Sequence, residues 1–248
     1  MLSLPPAAYW RLTKRPRYDL LFALPLLLAY ELLAFSLSHD AIAGVRNGAD
    51  VVLKSAFLAL GGRWGLVVFG VLLVGGGAIR VIWDLKANGR PRGAVYLGMA
   101  GESVGYALMF GGVTSILTAL ILSRWTPLAL AAFDQFDLAT QLMISLGAGL
   151  YEELLFRVLL VGGLATLGRR VFKWSTAWSG VFAVTVGALV FSLFHYVGPY
   201  GDPFQIPSFT FRAIAGVLFS GLYLLRGFGI TAWTHALYDV LLALGGTQ

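Results

Sequence analysis

The segment Tyr151-Glu152-Glu153-Leu154-Leu155-Phe156-Arg157 places three ionisable groups inside an apolar run. On an α-helix Glu153 and Arg157 lie four apart, about 40° from each other around the axis, with the acid N-terminal to the base, which is the favourable orientation for an ion pair. Glu152 lies about 140° from Arg157 and is left as the carboxylate free to handle water or substrate. An unpaired charge at mid-membrane costs roughly 2.5–3.5 kcal/mol on insertion scales, so these residues need partners and a reason. Alone, the cluster reads equally well as a buried structural ion pair. Two of the three histidines, His195 and His235, also fall in apolar runs. Phe191 precedes His195 by four positions and Asp239 follows His235 by four, so each pair shares a helix face. Phe191 can pack beside His195, and Asp239 can hold the tautomer of His235 or join the same polar pocket. One intramembrane histidine is most often a helix-to-helix hydrogen-bond partner. Two of them with an unpaired glutamate point to a reaction centre.

Membrane helices must carry these groups. The chain has 248 residues, 58% hydrophobic and 12% charged, with a mean hydropathy of +0.79, too apolar for a domain with a solvated surface. A span needs about 20 largely apolar residues. Candidate runs lie at about 20–37, 64–83, 95–122, 138–164, 177–197, 209–225 and 229–244. The expected fold is therefore all-α, a polytopic transmembrane helix bundle of about seven spans with an intramembrane polar cavity, forming one integral-membrane domain over 1–248. The first run follows Arg11, Lys14, Arg15 and Arg17, and its length and lack of a small-residue cleavage site make it an uncleaved span rather than a signal peptide. The stretch 50–60, with Lys54, is too short to span and either lies along the interface or forms a loop. Lys and Arg concentrate on the N-terminal side of the alternating loops, which places the N-terminus in the cytoplasm. The face opposite holds Arg46, Lys54, Arg63, Arg124 and Arg212. Trp64, Trp83, Trp125, Trp174 and Trp178 fall near span ends, where an indole suits the headgroup region.

Counting along the spans sets Glu152 near mid-membrane, His195 near the outer end of its span and His235 nearer the inner end. Three equal upright helices would keep them apart, so some spans must be tilted, broken or offset. Glu31 and Glu102 are expected to pair with a neighbouring helix or to snorkel to an interface, and His39 beside Asp40 to be solvated.

The absence of cysteine excludes disulfides, a thiol nucleophile and Cys-ligated metal. The net charge of +6 sits in clusters between apolar runs, a topology signal, and no nucleic-acid partner is expected. No HExxH and no GxSxG occurs. Asp202 lies in the Pro/Gly-rich loop 198–207, where a turn or loop-capping role outweighs an aspartyl dyad with Asp239.

The ordered set EExxxR (Glu152, Glu153, Arg157), FxxxH (Phe191, His195) and HxxxD (His235, Asp239) on successive membrane helices resembles the CPBP family of intramembrane proteases. That family includes the type II CAAX prenyl endopeptidases (Ras-converting enzyme) and the bacteriocin-processing or Abi proteins. The resemblance covers about residues 138–245, which would be the catalytic core. It implies that Glu152 acts with His195 to activate a water for attack on a peptide carbonyl, and that His235 and Asp239 stabilise the oxyanion, with Glu153, Arg157 and Phe191 supporting the site. Many relatives carry Asn where Asp239 stands. An ionised Asp cannot donate to an oxyanion, so Asp239 is expected to act through His235, orienting and charging it.

No cofactor is expected. Zinc is the alternative, since Glu152, His195, His235 and Asp239 would form an acceptable set, but a metal-free glutamate mechanism is favoured. The expected partners are membrane lipids and a membrane-associated peptide or protein substrate, with prenylated CAAX-type proteins among the candidates. The expected location is the plasma (inner) membrane of a prokaryote. The rival readings are a non-enzymatic membrane scaffold or bacteriocin-immunity protein, and a proton-coupled transporter using the same groups as a relay.

Overall fold

The computed structural model describes residues 5–38, 45–122, 136–198 and 201–245. Among these residues every regular element is helical: α1 (Pro6–Thr13), α2 (Pro16–Ser38), α3 (Gly48–Gly70), a π turn (Val71–Gly75), α4 (Gly76–Asn88), α5 (Gly93–Leu122), α6 (Leu138–Gly147), a π segment (Ala148–Val161), α7 (Gly162–Arg170), α8 (Thr176–Phe194), α9 (Ile206–Arg226) and α10 (Phe228–Gly245). Among the described residues five helical stretches are long and apolar enough to cross a membrane, and α10 is a shorter apolar helix. The all-α polytopic bundle read from the sequence is the fold observed. Large apolar side chains such as Leu60, Leu97 and Leu120 are exposed, as a surface facing lipid requires. His39, Asp40, Arg124 and Trp125 lie outside the described residues.

The stretch 50–60 is helical, the first limb of α3. At Gly61 and Gly62 the backbone leaves helical geometry, and Gly62 takes φ +55°, a left-handed value that glycine adopts at little cost. The chain then turns back, so that Phe57 meets Phe69 at 5.2 Å between ring centroids. The second limb continues through the π turn into α4, giving one span down to Asn88. Near its end Asp84 accepts from the Arg17 backbone N–H, joining the start of α2 to the last turns of α4.

Residues 138–170 form one rod, because α6, the π segment and α7 follow one another in right-handed helical geometry. Asp137 caps its start, accepting from the Thr140 backbone N–H at 2.7 Å, and that bond holds the exposed Asp137 carboxyl below its ordinary range. At the opposite end of the bundle α1 is clasped to the spans. Arg226 forks onto Glu102 at 3.0 and 2.6 Å and lies over the Trp10 ring at 4.8 Å. The Tyr9 hydroxyl donates to Glu102; burial, then the adjoining carboxylate, pushes that hydroxyl above its ordinary range, so it stays a donor. Glu31 also pairs, with Arg46 and Lys54. Both acids follow the pairing expectation.

The start of α10 is held from a distance. Asp19 on α2 accepts from the backbone N–H groups of Gly229 at 2.7 Å and Phe228 at 3.3 Å, satisfying two donors that a helix N-terminus otherwise leaves unpaired.

Candidate active site

Four elements converge on the middle of the rod: its π segment, the C-terminal end of α8, α10, and the residue preceding α3. The π segment carries Glu152 and Glu153, both buried. Its wider i→i+5 turn replaces the α-helical angles that separated Glu152 from Arg157, and both acids lie in the protein interior. The rod approaches α10 closely at Gly149, where an added Cβ would sit 2.3 Å from the Ala232 carbonyl oxygen and 2.7 Å from the Ala236 methyl. Substituting Gly149 by Val is expected to force the helices apart, lowering stability by about 1–3 kcal/mol as overpacking does and impairing any activity that needs the two helices together. A thermal melt in detergent alongside a cleavage assay checks both.

The depth mismatch resolves through offsets. His195 sits at the C-cap of α8, level with Glu152 partway along the rod, and its Nε2 lies 4.0 Å from Glu152 Oε2. His195 Nδ1 is 2.9 Å from the Phe191 carbonyl oxygen, an atom that only accepts, so Nδ1 carries the hydrogen and Nε2 is turned to the carboxylate. Phe191 also packs edge-on against the His195 ring at 4.9 Å. The backbone N–H of Asp202 donates to the His195 carbonyl, and the Asp202 carboxylate pairs with Arg212. Asp202 therefore closes the loop after α8. Arg212, read from the sequence with the outer loops, is instead buried in α9, beneath the Tyr196 ring.

One oxygen of Glu152, Oε1, accepts from the Asn47 amide at 2.8 Å. The other, Oε2, is buried without a hydrogen-bond partner among the described residues and faces His195. A water with hydrogen bonds near 2.8 Å to both atoms would subtend about 90° across the 4.0 Å gap, a geometry water accommodates.

Glu153 has two partners. Arg157 pairs with it at 3.2 Å, as the i,i+4 spacing requires, and His235 Nδ1 lies 2.7 Å from its Oε1. No local spacing signals the second contact, because it joins helices far apart in the chain. The Arg157 guanidinium rests 4.3 Å above Phe191 and 5.6 Å from Phe219, whose ring also stacks on His235 at 4.4 Å. His235 Nε2 lies 3.6 Å from Asp239, within ion-pair range but beyond a hydrogen bond. That nitrogen can still donate to a third group.

Among the described residues no three His, Cys, Asp or Glu side chains are disposed to hold a metal ion, and both ring nitrogens of His235 face carboxylates. On another side of the rod Leu150, Leu154 and Val158 help line a cavity of about 1070 Å³, whose walls are mostly apolar and which also includes Leu20, Phe69 and Phe228.

The buried acids Glu152 and Glu153 and the histidines His195 and His235 are brought together within the helical bundle. Residues 134–241 match the family model described as Rce1-like, type II CAAX prenyl endopeptidase. Over that segment the chain is similar to the Rce1-like family, a protease family. No curated protein and no solved structure matches the chain.

Proposed function

We propose that the protein is an intramembrane endopeptidase in which Glu152 and His195 activate a water. The observation that carries this reading is the buried Oε2 of Glu152, which has no hydrogen-bond partner among the described residues and lies 4.0 Å from His195 Nε2. Water held between them gives a proton to Glu152 as its oxygen attacks the peptide carbonyl. The C–O bond forms, the carbonyl oxygen becomes an oxyanion, and as the C–N bond breaks the proton passes to the departing amine. His235 Nε2 supplies the oxyanion with a donor. With Nδ1–H bound to Glu153, a second N–H requires the imidazolium, and Glu153 and Asp239 provide its counter-charges. Asp239 thus acts through His235.

The substrate is a membrane-associated peptide or protein. The apolar cavity beside the rod suits a hydrocarbon chain, which makes a prenylated CAAX-type substrate the first to test. The Lys and Arg distribution supports a cytoplasmic N-terminus. Purified protein should be incubated with a peptide library containing isoprenylated and unmodified members, and products read by mass spectrometry. Discrete products absent from a His195→Ala control are expected; a well-folded wild type that cleaves no member would count against the protease reading.

No metal takes part in this scheme. Enzyme stripped with chelators, its metal content checked by elemental analysis, is expected to keep full activity. Loss of activity restored only by Zn²⁺ would overturn the metal-free scheme.

A further inference from the structure

The carboxylate of Glu152 can serve a water only if one particular oxygen faces His195, and nothing on the rod itself fixes its rotation. The fixing group comes from the other half of the chain. Asn47 is 2% exposed and stands immediately before α3. Its Oδ1 accepts from the Ala49 backbone N–H at 2.9 Å, capping the helix, while its Nδ2 donates to Glu152 Oε1 at 2.8 Å. The Tyr30 hydroxyl lies 3.3 Å from the Asn47 backbone N–H, which donates to it, and itself donates to Asp50 at 2.7 Å. The orientation of the amide is settled by its partners. Reversed, it would set an oxygen against a carboxylate and an NH₂ against an N–H.

We infer that Asn47 is a positioning residue for Glu152, its amide holding Oε1 so that Oε2 is presented to the water and His195. The inference rests on the protease reading for its catalytic consequence, though the Asn47–Glu152 bond can be tested without it. Asn47 lies outside the segment 134–241 that matches the family, so part of the site's geometry is set by residues the match does not reach. Its capping role is legible in the sequence, since Asn before Gly48-Ala49-Asp50 is a favoured helix start. Its reach to Glu152, 105 positions away, is not.

Two variants separate the roles. Asn47→Ser keeps a good N-cap but is too short to reach Glu152. Asn47→Asp keeps shape and cap but sets an acceptor against the carboxylate. For Asn47→Ser we expect kcat to fall about 10- to 100-fold, the scale on which misplacement of a reacting group is felt, with KM changed less than about twofold and Tm close to wild type; for Asn47→Asp we expect a larger fall in kcat. A double-mutant cycle on Tm with Asn47→Ser and Glu152→Ala is expected to be non-additive. Wild-type kcat in Asn47→Ser, a change confined to KM, or an additive cycle would each overturn the inference. If the wild type cleaves nothing while Glu152 and Asn47 still couple in the melts, the protease reading fails and the positioning contact stands.

Discussion

Glu152→Gln is expected to lower kcat by about 10²- to 10⁴-fold, the range a general base supplies, while leaving the fold intact. The substitution is nearly isosteric, and the glutamine oxygen can still accept from Asn47, whose amide lies 2.8 Å from Oε1. What disappears is the ability of the atom facing His195 to take a proton. KM should change little, because a buried acceptor that acts on water contributes mainly at the transition state. The measurement is cleavage of the peptide found in the library screen, with melting temperature and size-exclusion profile matched to wild type. Equal cleavage by the variant would remove Glu152 from the mechanism, and an unchanged biological activity in cells would favour a scaffold or immunity role.

The neighbouring glutamate is expected to behave oppositely. Glu153 is fully buried and joins Arg157 to His235. Glu153→Ala leaves Arg157 without an ion pair among the described residues, its guanidinium between the rings of Phe191 and Phe219. Removing one partner of a buried pair costs about 3–5 kcal/mol, enough to lower the melting temperature in detergent sharply or to prevent purification. The double variant Glu153→Ala, Arg157→Met should recover much of that stability, since no uncompensated charge remains, but not activity, because His235 Nδ1 has lost its acceptor. A Glu153→Ala protein as stable as wild type would show that the pair does not hold the rod in place. Adjacent acids on one helix would thus separate cleanly into loss of chemistry and loss of fold.

Hydropathy was enough to read the helical bundle, because lipid forces the backbone of each span to satisfy itself. The i,i+4 pairs Glu153–Arg157, Phe191–His195 and His235–Asp239 were legible for the same reason: they are local. Less visible was whatever depended on offset or on distant contacts. Equal upright helices set Glu152, His195 and His235 at different depths, whereas the rod extends through α7 and His195 ends its helix, so the groups meet. The π geometry of 148–161 has no signature in the residue pattern, yet it changes which side chains turn inward. Asn47 and the Glu153–His235 bond join elements far apart in sequence, and no periodicity within a single helix could report them.

The Asp19 carboxylate on α2 receives the first N–H groups of α10, the element that carries His235 and Asp239. During synthesis α2 is made before α10, since chains build from the N-terminus. Until α10 arrives, Asp19 lacks the partners it will have in the finished protein, and Glu153 has no histidine to hold. On the proposed reading, a chain that has not yet received α10 holds Glu152 and His195 without the group that would stabilise an oxyanion, so the proposed water-activating pair would stay inert until α10 is in place.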